Sequence, residues 1–374
     1  KQMNIMDRRQ IVTNSDQSVP LDKDGNPLPT ISLEKYINKA RESMVANSET
    51  WQGVIDRIGR WVDFKGAYRT MDKNFMESVW WAFKQLYEAG KIYEGEKVLM
   101  YDTKFATPVS KAEVTMDNDA YQTVTDPSVY VKFKLLPKAV ESVSEECFES
   151  LREYSDESRE DGLKERSEET RSTDSHILAW STTPWTLPAN LMLAVNPELT
   201  YAEVLVDGER LILARNAIEQ VLTDEKHRPL EYELVREFPG SELAGRAYQP
   251  LDTGSTWPNH PAVHHIYSAD FVASDSGTGI VHIAPAFGED DNRVCRKYGI
   301  GFVQFVNDKG EMTEETDWPG VFVKEADPLI LEDLDKSGKL FKAPEFTHSY
   351  PHCWRCDTPL IYYARASWFI RMTA

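Results

Sequence analysis

Trp180-Ser181-Thr182-Thr183-Pro184-Trp185-Thr186-Leu187-Pro188-Ala189-Asn190 is the densest stretch of the chain. An apolar strand, residues 176–180, runs into three consecutive hydroxyl-bearing side chains, and Pro184 and Pro188 then stop any regular element. Three adjacent hydroxyls at a strand end can donate to and accept from a small polar ligand. Composition alone leaves an ordinary Ser/Thr-rich turn equally open.

A second stretch lies about a hundred residues on: Gly277-Thr278-Gly279-Ile280-Val281-His282-Ile283-Ala284-Pro285-Ala286-Phe287-Gly288-Glu289-Asp290-Asp291. A glycine-flanked turn feeds a short strand that ends at Pro285. Gly288 then opens a helix that runs to about Tyr298, with Gly299 as its stop. The dinucleotide fingerprint fails, since its third glycine would fall on His282, and there is no P-loop. Macrodipole complementarity accounts for acidic residues in a first helical turn. It does not account for a His nine residues before Asp291. A carboxylate at that helix start suits binding of a cationic amine. Ser181, His282 and Asp291 also permit a hydrolase-triad reading, but no G-x-S-x-G elbow is present. His264 and His265 read as structural or surface imidazoles.

The rest of the chain sets the frame. The 374 residues carry 42 Lys+Arg against 61 Asp+Glu, a net charge of −19, which argues against broad non-specific duplex binding. At 41% hydrophobic and 11% aromatic residues, a sizeable core is expected and wholesale disorder is excluded. No run is long and apolar enough for a membrane span. Four Cys cannot make a disulfide scaffold and point to a reducing compartment. Cys353-Trp354-Arg355-Cys356 is half of a zinc knuckle, whereas a closed site needs four ligands.

Periodicity predicts helices between about residues 33 and 60. It predicts another after Asp72, with Phe75, Met76, Val79, Trp80, Phe83, Leu86 and Tyr87 as one stripe and Gly90 as its stop. Trp80 and Trp81 read as packing residues. Beyond Gly95 short β-type runs take over: residues 98–101, 129–135, 177–180, 191–195, 201–206, 211–214 and 280–283. The alternation in residues 129–134 predicts a half-exposed strand. Residues 141–174 carry 13 acidic and 5 basic residues with almost no large apolar ones, and read as a solvated insertion.

The two dense motifs resemble the editing insertion, the connective peptide, of the isoleucyl-tRNA synthetase family. Its threonine-rich peptide looks like residues 180–190 almost letter for letter, and its second editing motif resembles residues 277–291. Residues 60–64, 71–81, 126–131, 269–272 and 349–355 resemble further family elements. Leucyl and valyl relatives carry an Arg after the paired Thr, where this chain has Pro184. Two departures stand out. Ser181 replaces the first of three Thr, and Tyr101-Asp102-Thr103-Lys104-Phe105 stands where the family often has a second Cys knuckle.

The resemblance implies an α+β fold with a β-rich, barrel-like editing domain over residues 101–344, interrupted by the acidic insertion. Connective segments would flank it, a helical one over residues 1–100 and one over 345–374 returning to the catalytic core. It implies an aminoacyl-tRNA deacylase that hydrolyses mischarged Val-tRNA(Ile) after transfer. The alternative is a non-catalytic module that binds the tRNA 3′ end. H-I-G-H-type and K-M-S-K-S-type sequences are absent, so the chain is expected to be a fragment that performs no aminoacylation. ATP and Mg would belong to the missing core. Catalytic roles fall to Thr182, Thr183 and Asp291, and substrate contacts to Trp180, Ser181, Thr186, Asn190 and His282. Asp291 would hold the α-ammonium, and Thr186 and His282 would size the side-chain pocket. Editing would need no cofactor or metal, and zinc at Cys353 and Cys356 is not expected. The partners would be the tRNA(Ile) 3′ end and its valyl ester, with no DNA and no membrane, for a monomer in the cytoplasm.

Overall fold

A change of texture at Lys91/Ile92 divides the computed structural model into two units, residues 1–91 and 92–374. The described residues are 10–12, 30–45, 48–64, 66–115, 120–137, 174–224, 226–251, 253, 257, 260–273 and 277–372. The acidic insertion, with Cys147, lies outside them except for Asp174.

The first unit pairs β1 (Gln10–Val12) in parallel with β2 (Thr30–Ser32) and continues into α1 (Leu33–Val45), α2 (Ser48–Arg57) and α3 (Lys73–Glu88). Asp72 occupies the N-cap position of α3, although its carboxylate accepts from Arg69 N (3.2 Å) rather than from the helix. Gly90 has φ +66° and ends the helix, with Gly90 N donating to Tyr87 O (2.9 Å). The expected stripe forms, but the described residues of its own unit cover it only in part. No residue of α3 is buried, and Trp80 and Trp81 are 67% and 65% exposed, which corrects their reading as packing residues.

The second unit holds the core. Its main sheet has the order β11-β9-β10-β7-β6-β14. The strands are β6 (Val129–Lys134), β7 (Ser175–Ser181), β9 (Thr200–Val206), β10 (Glu209–Ala214), β11 (Glu233–Pro239) and β14 (Leu340–Lys342). All neighbours are antiparallel except β10 and β7. A second sheet has β8 (Met192–Val195) between β12 (His265–Ser268), parallel to it, and β13 (Ile280–Ile283), antiparallel. β3 (Ile92–Asp102) runs between β4 (Thr107–Val109) and β16 (Ile361–Ile370), and β5 (Tyr121–Pro127) pairs with β15 (Glu345–Pro351). Among the described residues three α-helices complete the unit: the single turn α4 (Ile218–Val221), α5 (Glu289–Lys297) and α6 (Val323–Lys336).

The class is therefore α+β and β-rich, as expected, with sheets that are open rather than closed among the described residues. Two boundaries differ from expectation. β3 begins at Ile92, and residues 345–374 belong to the second unit, because β16 pairs with β3 from Ile92 to Tyr101. β6 is not half-exposed either. Tyr130 and Lys132 are both buried, since β14 covers that edge and Lys132 Nζ pairs with Glu209 at 2.7 Å.

Candidate functional site

β7 delivers the threonine-rich stretch and β13 delivers the second motif, and the two meet at one cavity of about 460 Å³. Trp180, Ser181, Thr182, Thr183, Thr186, His282 and Asp291 all line it. So do Phe271, Phe287 and Tyr362, which the sequence reading did not single out. Tyr362 comes from β16, and only tertiary structure could have brought it there.

Two glycines allow the close approach. Gly277 has φ +68°, and a Cβ there would sit 2.7 Å from the Trp180 ring. A Cβ on Gly288 would sit 2.6 Å from the Asp291 carboxyl carbon. The missing side chain lets Asp291 fold back over its own helix start.

Residues 184–189 form a 3-10 turn with Pro184 in its first positions. Thr186 N donates to Thr183 O at 3.0 Å, and the Thr186 hydroxyl donates to the same carbonyl at 2.8 Å. That hydroxyl has one hydrogen, so at its 2.9 Å contact with His282 Nε2 it must accept. His282 is thereby assigned as the Nε2–H tautomer. Burial pushes its pKa down to about 4, which keeps the ring neutral, and its buried Nδ1 has no hydrogen-bond partner. Ser181 Oγ and Thr186 Oγ1 each lie 3.3 Å from Thr183 Oγ1, which completes a chain of hydroxyls along one wall.

This geometry disfavours a hydrolase triad. A triad carboxylate would occupy the place beside His282 Nδ1, which has no partner. Asp291 instead accepts from Ala284 N at 2.9 Å through Oδ2. It lies in the first turn of α5, and its carboxyl is largely withdrawn from water. Burial raises its pKa to about 7, and the neighbouring Asp290 adds to the rise. An acid in that state is stabilised as a carboxylate by an incoming cation.

Asn190 is the exception among the expected contacts. It does not line the cavity. Its Nδ2 donates to Met192 O (3.0 Å), and its Oδ1 accepts from Tyr248 OH (2.6 Å), both inside the core. It pins the end of the turn because its amide is fully engaged there. His264 and His265 also stay structural. His264 packs against the Tyr248 and Trp257 rings, and His265 Nδ1 meets Val263 O at 2.9 Å.

Away from the cavity, Asp102, Cys353 and Cys356 gather with ligand atoms within 4.8 Å of one another. This is a partial fit to a metal. Three ligands do not close a tetrahedral structural site, and the Cys356 thiol already donates to Asp102 Oδ2 at 3.1 Å. Lys104 N and Phe105 N donate to Asp102 Oδ1 at 2.9 and 3.3 Å, so the turn is held without an ion. Burial pushes the Cys353 thiol up to about 12.

Comparison with known proteins places the chain. The isoleucine–tRNA ligase of Clostridium acetobutylicum is 40% identical over 343 residues, 91% of this chain and 29% of the relative. That of Treponema denticola is 38% identical over 353 residues, 91% of this chain and 30% of the relative. The cytoplasmic isoleucine–tRNA ligase of Saccharomyces cerevisiae is 37% identical over 348 residues, 91% and 29%. The chain thus spans under a third of the length of these relatives. Among solved structures, GlLeuRS-CP1 is similar at 16% identity and TM-score 0.41, over 59% of this chain and 100% of that one. The family description "tRNA synthetases class I (I, L, M and V)" matches residues 10–374, and the chain belongs to that family.

Proposed function

We propose that the second unit edits mischarged tRNA by hydrolysing the valyl ester at the 3′ end of tRNA(Ile). The observation that carries this reading is the convergence of a hydroxyl wall, a neutral imidazole and a desolvated carboxylate on one cavity. The relatives named as isoleucine–tRNA ligases support the amino-acid assignment.

Isoleucine and valine differ by one methylene, and a hydrophobic pocket separates them by only about 1–3 kcal/mol, a magnitude for which this very pair of amino acids is the standard example. A second, smaller site that hydrolyses the valyl ester supplies the missing discrimination. The Asp291 carboxylate anchors the α-ammonium by a charge-assisted hydrogen bond. Ser181, Thr182 and Thr183 hold the terminal adenosine, the ester and an attacking water. Thr186 and His282, locked at 2.9 Å, form the wall that sizes the side-chain pocket. No general base is evident among these groups: His282 Nε2 is committed to Thr186, its Nδ1 is buried, and with a pKa of about 4 the ring is a weak base. Rate enhancement then comes mainly from holding water and ester in position. A group such as the ribose hydroxyl of the terminal adenosine can assist. No cofactor or metal takes part, and the protein acts as a cytoplasmic monomer.

The test is deacylation of Val-tRNA(Ile) and Ile-tRNA(Ile) by the purified chain. Selective release of valine supports the reading. Binding of the tRNA 3′ end without turnover would instead support the non-catalytic module. A Ser181→Ala variant separates this mechanism from a serine esterase: a positioned water survives the change in part, and a serine nucleophile does not.

A further inference from the structure

The threonine-rich turn begins with a backbone donor that its own sequence leaves unsatisfied. The first N–H groups of a helical turn lack internal partners, and the N-cap side chain normally takes one of them. Pro184 has no N–H, so the first donor is Trp185 N. Thr183 stands at the N-cap position, and threonine is a good capping residue, yet its side chain makes no capping hydrogen bond. Its hydroxyl is directed to Ser181 Oγ and Thr186 Oγ1 on the cavity wall. Trp185 N donates instead to Asp327 Oδ1 at 2.8 Å, from the second turn of α6.

We infer that Asp327 is a positioning residue that caps this turn in trans and so frees the Thr183 hydroxyl for the substrate. Asp327 is 1% exposed, and its second carboxyl oxygen is buried with no partner. The nearby cation, Lys324, is committed to Asp126 at 2.7 Å. Burial raises the Asp327 pKa to about 7, so the fold keeps a carboxyl where an apolar residue would be easier to hold. The same turn is tied to the second motif by the Trp185 ring, which meets Phe287 edge-on at 4.8 Å, one residue before Gly288. Loss of the cap from α6 would let Thr183 turn back onto Trp185 N and leave the cavity.

This inference rests on the deacylase reading and is tested with the full chain. Asp327→Asn keeps an acceptor for Trp185 N and should retain deacylation within about threefold of the native chain. Asp327→Leu, which fills the space without an acceptor, should lower kcat by about tenfold or more, the scale of one lost cap, with a smaller change in KM. Asp327→Leu and Thr183→Ala should be non-additive, because both remove the same hydroxyl from the cavity. Hydrogen exchange over residues 181–190 should rise in Asp327→Leu and stay native in Asp327→Asn. Additive losses, native kcat in Asp327→Leu, or unchanged exchange would each overturn the proposal. If the native chain hydrolyses neither ester, the deacylase reading fails by itself, and the exchange measurement still decides whether Asp327 is the cap.

Discussion

The two units treat the same kind of residue in opposite ways. In the β-rich unit apolar strands are packed inside: β8 is buried throughout, and Ile177, Leu178, Ile212 and Leu213 have no exposed surface. In the helical unit the stripe of α3 is well formed and lies outside, with Trp80 at 67% exposure, and Trp61, ahead of the helix, is at 84%. Periodicity reports which residues share a face; it does not report what covers that face. In the β-rich unit the cover comes from within the unit, much of it from strands distant in sequence: β6 pairs with β14, β5 with β15 and β3 with β16. For α3 the described residues of its own unit supply only part of a cover. Chemistry follows the packing, since the hydroxyl wall, the His282 ring and the Asp291 carboxyl that converge on one cavity lie in the second unit.

The largest expected effect is therefore at Asp291. Asp291→Ala leaves the substrate ammonium unpartnered in a desolvated place, a loss of about 2–5 kcal/mol for a buried charge pair, which is enough to abolish detectable deacylation. Asp290→Ala is the control. Asp290 pairs with Arg293 on the surface at 2.7 Å with both side chains more than half exposed, and such pairs contribute little. Parallel rate measurements decide. Essential Asp290 with dispensable Asp291 would break the assignment of chemistry to desolvated groups.

Next in size is the sieve. His282→Ala removes a fixed ring beside Thr186 and opens more space than one methylene. The variant should hydrolyse Ile-tRNA(Ile) as well as the valyl ester. Both rates are to be measured on the same preparation. A parallel fall with an unchanged Val/Ile ratio would reduce His282 to a packed strand residue.

Most of this site is legible in the sequence. β13 falls on residues 280–283 as read, α5 starts after Gly288, and seven of the eight expected contact residues line one cavity. What escaped has a common cause. Asn190 lies in the motif but faces the core, where Met192 O and the Tyr248 hydroxyl engage its amide. Asp327 reaches Trp185 across 142 positions, and Tyr362 arrives from another sheet. No local pattern marks a long-range partner. The exposure of β6 was misread for the same reason, since alternation cannot foresee that β14 closes the outer edge.

A smaller effect concerns pH. Asp291 holds its proton in the folded chain up to about pH 7, whereas an unfolded aspartate releases it near pH 4. Between those values the native state binds more protons than the unfolded one, so this group lowers stability as pH rises through the window. Asp291→Asn should raise Tm at pH 8 and leave it nearly unchanged at pH 4, while still abolishing deacylation. Thermal melts at the two pH values check this. An equal shift at both would mean that the amide repacks the site rather than relieving a buried charge.

Smaller still is the acidic insertion. Replacing residues 141–173 by a short Gly/Ser loop, with Asp174 kept because it pairs with Lys134 at 2.5 Å, should preserve both melting and deacylation. A large fall in Tm would show that the insertion contributes to the core.

The smallest effect is expected where exposure is greatest, at Trp80 and Trp81. A Trp80→Ser, Trp81→Ser variant removes two large rings that bury little in this chain, so the cavity-forming loss that truncation brings in a core does not arise. One ring contact is lost, the edge-on meeting of Trp80 with Phe83 at 5.7 Å, and such a pair on an exposed face is worth well under about 1 kcal/mol beyond its area. Helicity of α3 changes little, since tryptophan and serine have similar intrinsic preference. The purified double variant should deacylate Val-tRNA(Ile) at the native rate, melt within a degree or two of the native chain and scatter light as the same monomer, with a smaller exposed apolar patch. Circular dichroism melts, deacylation rates and light scattering on the same sample make the comparison. A large drop in melting temperature would mean that the stripe of α3 is covered in solution, and the contrast between the two units would then be one of partners rather than of packing.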